Sequence, residues 1–287
     1  MGHPTEQEIV GELRAAGCVF AEDEARVLME TPPDARGALL ARRVAGEPLE
    51  HVVGWVEFAG ARLHVAPGVF VPRRRTEALV RVALPHAEGA VVLEMCCGVG
   101  AVAHAIADRT RPRDVIAVDI DPAATDCARR NLPHADVVTG DLFEPLPTAL
   151  QGTVDVLVAN APYVPTGAVG TMPREARDHE PVVALDGGPD GLDIARRIVE
   201  QAPSWLSPGG ILAIETSAGQ APSLAALMTA QGLAAEIVVD DDVDGLVVVG
   251  LLVGAAVHPE NKPTAATVEP GTPARPTVGT DTEASTP

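Results

Sequence analysis

Val91-Val92-Leu93-Glu94-Met95-Cys96-Cys97-Gly98-Val99-Gly100-Ala101-Val102-Ala103 reads as an apolar strand, a glycine loop and the opening of a helix. The glycines let the backbone approach a ligand at the helix start, where N–H groups point outward. The alternation continues downstream. Strand-like DVIAVDI from Asp114 precedes a helix through Cys127 to Asn131, then come ADVVTGD ending at Asp141 and VDVLVAN ending at Asn160. After a long loop follow the helix IARRIVEQAPSWL, the strand GGILAIET and a helix near Leu224. Two closing strands, around Ile237 and from Leu246 to Val253, flank the acidic run Asp240 to Asp244. Apolar strands separated by helices predict an α/β, Rossmann-like fold: a mostly parallel sheet covered on both faces, with an antiparallel hairpin at one edge.

Upstream the pattern differs. Thr5 and Glu8 have the spacing of a capping box before Ile9, Val10 and Leu13, and Asp34 is placed to cap a helix carrying Leu39, Leu40 and Val44. From Trp55 to Val71 apolar residues broken by Gly60 and Pro67-Gly68 predict a β-hairpin or two, and Thr76-Glu77 a polar helix start. Past Ala255 the chain turns to Pro, Thr, Ala and Glu without apolar periodicity, so residues 256–287 are expected to be a disordered tail. The expected division is a helical and hairpin module over 1–75, a sheet domain over 76–255, and the tail.

The 287 residues, 46% of them hydrophobic, can bury a large core. Acidic residues number 40 against 21 basic, a net charge of −19 that repels a phosphate backbone and argues against general nucleic-acid binding. Gly245 to Val257 falls short of the roughly 20 apolar residues that span a bilayer, so no membrane segment is expected. MGHPTEQEIV lacks the basic and apolar regions of a secretory signal, which predicts a cytoplasmic protein with reduced cysteines. Cys96 and Cys97 have no matching second pair, and His51, His64, His104 and His179 show no ligand spacing, so no metal site is expected.

Four strand ends carry the candidate chemistry. Gly98-Val99-Gly100-Ala101-Val102-Ala103 satisfies G-x-G-x-x-A, with Asp119 at the next strand end, so nicotinamide and S-adenosylmethionine (SAM) cofactors both stay open. Asp121-Pro122 suits a helix cap, which leaves Asp119 to accept ribose hydroxyls. Asp141 can accept an adenine amine or hold a loop. In Asn160-Ala161-Pro162-Tyr163 the asparagine carbonyl and the next backbone carbonyl are two acceptors able to hold both hydrogens of a planar NH₂, and the sole tyrosine supplies a flat wall. The same tetrapeptide also reads as an ordinary turn.

At this tetrapeptide the chain resembles the release-factor glutamine methyltransferases, the HemK family, whose signature is Asn-Pro-Pro-Tyr. The likeness runs from Gly46 to Gly250. It takes in Gly46-Glu47-Pro48-Leu49, Gly54, Glu57-Phe58, Val71-Pro72-Arg73 and Thr76-Glu77. It continues through Glu180-Pro181, Ala184 to Gly188, Asp190-Gly191-Leu192, Pro208-Gly209-Gly210, and Glu215 with Gln220. The resemblance implies a class I SAM-dependent methyltransferase fold, a helical N-terminal domain that grips a protein substrate, and methylation of a glutamine amide nitrogen, plausibly in a translation release factor. It places Glu94, Cys96, Gly98, Gly100, Asp119, Ile120, Asp141, Leu142 and Asn160 around the cofactor. Asn160, Ala161, Pro162 and Tyr163 become catalytic, and Arg73, Arg74, Arg75, Glu180 and Pro181 face the protein substrate.

Three positions depart from the family. Cys96-Cys97-Gly98-Val99-Gly100 stands where Gly-Thr-Gly-Ser-Gly is usual, Asn-Ala-Pro-Tyr replaces Asn-Pro-Pro-Tyr, and Arg73-Arg74-Arg75-Thr76-Glu77 replaces Arg-Pro-Glu-Thr-Glu. The last exchanges a carboxylate for positive charge. Two other functions fit part of the pattern: methylation of exocyclic amines in nucleic acid, and a non-catalytic interaction module on a methyltransferase fold.

Overall fold

The computed structural model describes residues 3–253; the expected tail over 256–287 lies outside them. At the N-terminus four helices, α1 (Glu6–Ala15), α2 (Ala21–Met29), α3 (Pro33–Val44) and α4 (Leu49–Val53), close on Ile9, Leu13, Ala25, Leu28, Leu40 and Val52. The Thr5–Glu8 capping box forms as read: Thr5 accepts from the Glu8 amide, and the Glu8 carboxylate accepts from the Thr5 amide at 2.8 Å. Asp34 does not cap α3. Pro32 holds that position with Pro33 as the first helical residue, so Asp34 falls inside the first turn, where its charge still suits the helix dipole. Arg43 of α3 is buried between Glu24 of α2, at 2.6 Å, and Glu175, at 2.8 Å.

One hairpin follows, β1 (Trp55–Phe58) against β2 (Ala61–His64), turned by Ala59 and Gly60, both at positive φ. No second hairpin forms over 65–71, which runs on without regular pairing. Val56, Phe58 and Leu63 pack in the same apolar cluster as Leu79 of α5 (Glu77–Ala83) and Val102 and Ile106 of α6 (Ala101–Arg109). A 3₁₀ turn, Arg74–Thr76, leads into α5, which begins at Glu77 as the Thr76-Glu77 helix start reads.

Seven strands make the main sheet: β3 (Val91–Met95), β4 (Asp114–Asp119), β5 (Asp136–Thr139), β6 (Val154–Ala159), β7 (Leu206–Glu215), β8 (Leu233–Asp240) and β9 (Gly245–Leu252). Their order is β5-β4-β3-β6-β7-β9-β8, parallel except for β9, which runs antiparallel to both β7 and β8. The edge hairpin is as the sequence predicts. Because side chains alternate across a strand, Val92, Val156, Val158 and Ala213 face α5, α6 and the hairpin. Leu93, Met95, Leu157 and Leu212 face the opposite layer, which includes α10 (Asp193–Trp205) and α11 (Ala221–Ala230). Helix α7 (Pro122–Asn131) follows β4, with Asp121 accepting from the Ala123 amide as the cap. The loop after β6 holds two short helices that the periodicity did not reveal, α8 (Thr166–Val169) and α9 (Arg174–His179).

Candidate active site

The chain order reverses between β3 and β6: β4 and β5 follow on one side of β3, β7 on the far side of β6. At such a switch point the loops leaving the two strands diverge and open a crevice at their carboxyl ends. The loop after β3 supplies Cys96 and Gly98 to this crevice, and β6 runs straight into Asn160, Ala161, Pro162 and Tyr163. Asp119 and Ile120 after β4, and Asp141 and Leu142 after β5, form its next wall. Arg73, Arg75 and Pro181 line it from outside the sheet.

Four residues read as site residues do not line the crevice. Glu94 shares its face of β3 with Val92, so its side chain points to α6 and accepts from the amides of Ala103, at 2.7 Å, and Val102, at 3.4 Å. There it braces the loop from behind, and burial pushes its carboxyl up to about 8. Gly100 packs against α7: a Cβ there meets Leu132 Cδ1 at 2.6 Å, and φ is +75°. Arg74 turns outward to the Asp242 carbonyl at 3.4 Å. Glu180 is buried, accepting from the Val71 amide and pairing with Arg73.

The remaining loop residues hold defined geometry. Asp119 accepts from the amides of Gly98 at 2.8 Å and Asp121 at 2.9 Å, which ties the end of β4 to the glycine loop. Asp141 accepts from Arg197 of α10 at 2.8 Å, a partner that no local pattern announces. Cys96 sits at φ 53°, the left-handed backbone that a glycine adopts without strain. Its thiol, and that of Cys97, are pushed up by burial, and neither has metal-ligand company among the described residues.

Asn160 donates from Nδ2 to the Thr76 hydroxyl at 3.2 Å. No described residue donates to its Oδ1 or to the Ala161 carbonyl, so both acceptors beside the crevice are uncommitted. The tetrapeptide itself is held from the other side. A Cβ on Gly187 meets the Pro162 carbonyl oxygen at 2.5 Å, and Gln220 donates to the Tyr163 carbonyl at 2.9 Å. Close backbone approach of this kind requires glycine. Tyr163 donates to Glu215 at 3.3 Å, Arg75 donates to the same oxygen at 3.2 Å, and the Arg75 guanidinium lies 5.9 Å from the tyrosine ring centroid. Burial, with the Glu215 charge adding to it, pushes the Tyr163 hydroxyl up to about 12, so it stays protonated. Arg197 was given no role from sequence. Thr76, read as a helix start, and Gln220 both appear among the residues carrying the family likeness, but only the fold shows what each holds.

Comparisons with known proteins bear on this site directly. Residues 92–179 match the family model of a methyltransferase domain. A release factor glutamine methyltransferase of Geobacter sulfurreducens is 41% identical over 201 residues, covering 68% of this chain and 69% of the relative. A 4-amino-L-phenylalanine/4-methylamino-L-phenylalanine methyltransferase of Streptomyces pristinaespiralis is 35% identical over 231 residues, covering 77% and 78%. Among solved structures, a T. thermophilus 16S rRNA N2 methyltransferase in complex with AdoMet and guanosine matches with a TM-score of 0.50 at 23% identity, over 69% of this chain and 49% of the other. That likeness shows the fold alone, the class I arrangement of SAM-dependent methyltransferases. The ordered glycine loop, the crevice at the switch point and the Asn160 tetrapeptide thus occur together in a chain at 41% identity, and this chain belongs to the release factor glutamine methyltransferase family, enzymes that use S-adenosylmethionine.

Proposed function

We propose that the enzyme transfers the SAM methyl group to the side-chain amide nitrogen of a glutamine in a cytoplasmic protein, a translation release factor, with residues 1–75 contributing to the grip on that protein. The observation that carries this reading is the pair of uncommitted acceptors at Asn160 Oδ1 and the Ala161 carbonyl, beside the wall made by Pro162 and Tyr163. The residues present suit a nucleoside-bearing cofactor: a carboxylate, Asp119, stands at the β4 end for the ribose, and Ile120 and Leu142 offer apolar surface for a base beside Asp141. When bound, SAM supplies an electrophilic methyl on a sulfonium.

An amide nitrogen is barely nucleophilic because its lone pair is delocalised. Asn160 Oδ1 and the Ala161 carbonyl each accept one hydrogen of the substrate NH₂, which aims the nitrogen and offsets the positive charge that develops on it. Held in line by these acceptors, the nitrogen would bond to the methyl that bound SAM would supply, with the electron pair of the broken carbon–sulfur bond left on its sulfur, and the nitrogen would then release one N–H proton to water. No strong base is needed, since the nitrogen becomes acidic as the methyl arrives. Tyr163, protonated and held by Glu215, acts as a wall.

A second acceptor is favoured by one position. Arg75 places a half-exposed guanidinium in the crevice where the family's motif has a carboxylate, a counter-charge for the α-carboxylate of a free aromatic amino acid carrying an amine. Labelled SAM offered in parallel with a purified translation release factor, 4-aminophenylalanine, and total RNA separates these readings. Methylglutamine in the release factor supports the proposal, and labelling confined to the free amino acid or to RNA overturns it.

A further inference from the structure

We propose that Arg197 of α10 is the positioning residue that aims Asp141 at the exocyclic amine of the cofactor's adenine; this rests on the place given above to Asp141 beside the cofactor base. The site then takes a 6-aminopurine in preference to a 6-oxopurine. The backbone around Asp141 is fixed by its own loop. Gly140 donates to the Asp119 carbonyl at 2.9 Å, and a Cβ on it would meet Pro145 Cγ at 2.7 Å, so the turn after β5 closes tightly beside the end of β4. Phe143 stacks on Trp205 of α10 with ring centroids 5.2 Å apart, which docks the loop on that helix. The Asp141 side chain has no such local hold. Its one partner among the described residues is Arg197, whose Nη2 donates to Oδ2 at 2.8 Å.

Arg197 stands on a firm base. Ile198, Val199 and Ala202 bury α10 against the sheet, and Ile194, one turn before Arg197, lines the same crevice. Arg196, next in the chain, pairs instead with Asp190 and Asp193 at 3.0 and 2.9 Å. The side chains of Arg197 and Asp141 are 42% and 33% exposed, a setting in which an ion pair adds little to stability, so the effect of this pair lies in direction. With Oδ2 held by Arg197, Oδ1 is left uncommitted in the crevice wall. An ionised carboxylate can only accept. It matches an amine, which donates, and opposes a ring carbonyl, which sets a second acceptor against it. The apolar side chains of Ile120 and Leu142 beside it cannot tell the two bases apart.

Calorimetry with S-adenosylhomocysteine and its deaminated analogue S-inosylhomocysteine reads this preference without any methyl acceptor. Wild type should bind the adenosyl ligand about 10-fold or more tightly than the inosyl one. Arg197→Met keeps a long apolar stem and removes the donor. It should weaken the adenosyl ligand by about 5-fold or more, leave the inosyl ligand nearly unchanged, and melt close to wild type. Arg197→Lys, which keeps a charged donor, should recover part of the preference. Placed on Asp141→Ala, Arg197→Met should cost the adenosyl ligand nothing further, because it acts only through Asp141. Arg197→Gln replaces the methionine variant if that one does not fold. Equal weakening of both ligands by Arg197→Met, as a purely structural role would give, or a further loss on Asp141→Ala, overturns the proposal. A preference that Asp141→Ala leaves intact overturns the placement of Asp141 at the base and the proposal with it; a preference lost in Asp141→Ala but kept in Arg197→Met overturns the proposal alone.

Discussion

Glu94 shows what one buried carboxylate does to a cofactor loop. It sits behind the loop with both oxygens on α6 amides, and the cost of burying its charge outweighs those bonds, so its proton is held up to about 8. The unfolded chain gives that proton up near pH 4.3, a glutamate's ordinary value. Between the two values the folded state binds more protons than the unfolded one, so the Glu94 contribution is full below the lower value and lost as pH rises to the higher. Melting curves at about pH 5 and about pH 8.5 should therefore show a larger drop in wild type than in Glu94→Gln, whose amide mimics the protonated acid. Equal drops in the two proteins contradict the assignment. The sequence marked Glu94 as a strand-end acid but not its direction: in a strand apolar on both faces, alternation leaves no trace in the residue types. Arg73, Arg74 and Arg75 were legible only as a run, because the acids that separate them, Glu180 and Glu215, lie 107 and 140 residues away.

At the scale of elements, the segment after β6 depends on the loop carrying Asp186 to Gly191. Val164 pairs with Asp186, Gly187 abuts the Pro162 carbonyl, and Gly191 leaves room for both the Tyr163 carbonyl and Gln220 Nε2 at φ +76°. A methyl group at Gly191 runs directly into those two atoms and forces a left-handed backbone on alanine. Gly191→Ala should lower unfolding free energy by about 2 kcal/mol or more in denaturant titrations and displace Tyr163. A loss under about 0.5 kcal/mol, within the range of ordinary surface changes, contradicts this packing. Strands and long helices were readable because burial imposes their periods. Helices α8 and α9, four and six residues long, are too short to show a period, so that region read as plain loop.

Taken whole, the molecule sets a small helical bundle, a hairpin and an open sheet so that one crevice collects the ends of β3, β4, β5 and β6. A mostly parallel sheet with an antiparallel edge hairpin could be anticipated because apolar strands alternate with helices, but the strand order was not read. Arg75 was read as a site residue only through the resemblance, while its partner Glu215 and the arrival of Arg197 in the crevice could not be read, since no local spacing encodes them. The central claim is that Asn160 aims an amide nitrogen through an acceptor that matters most at the transition state. Its most direct test is the steady-state rate of methylglutamine formation in a purified release factor by Asn160→Ala, with SAM affinity measured alongside. The account predicts a fall in kcat of about 100-fold or more with SAM still bound; turnover near the wild-type rate would show that the tetrapeptide is only a turn and contradict the mechanism.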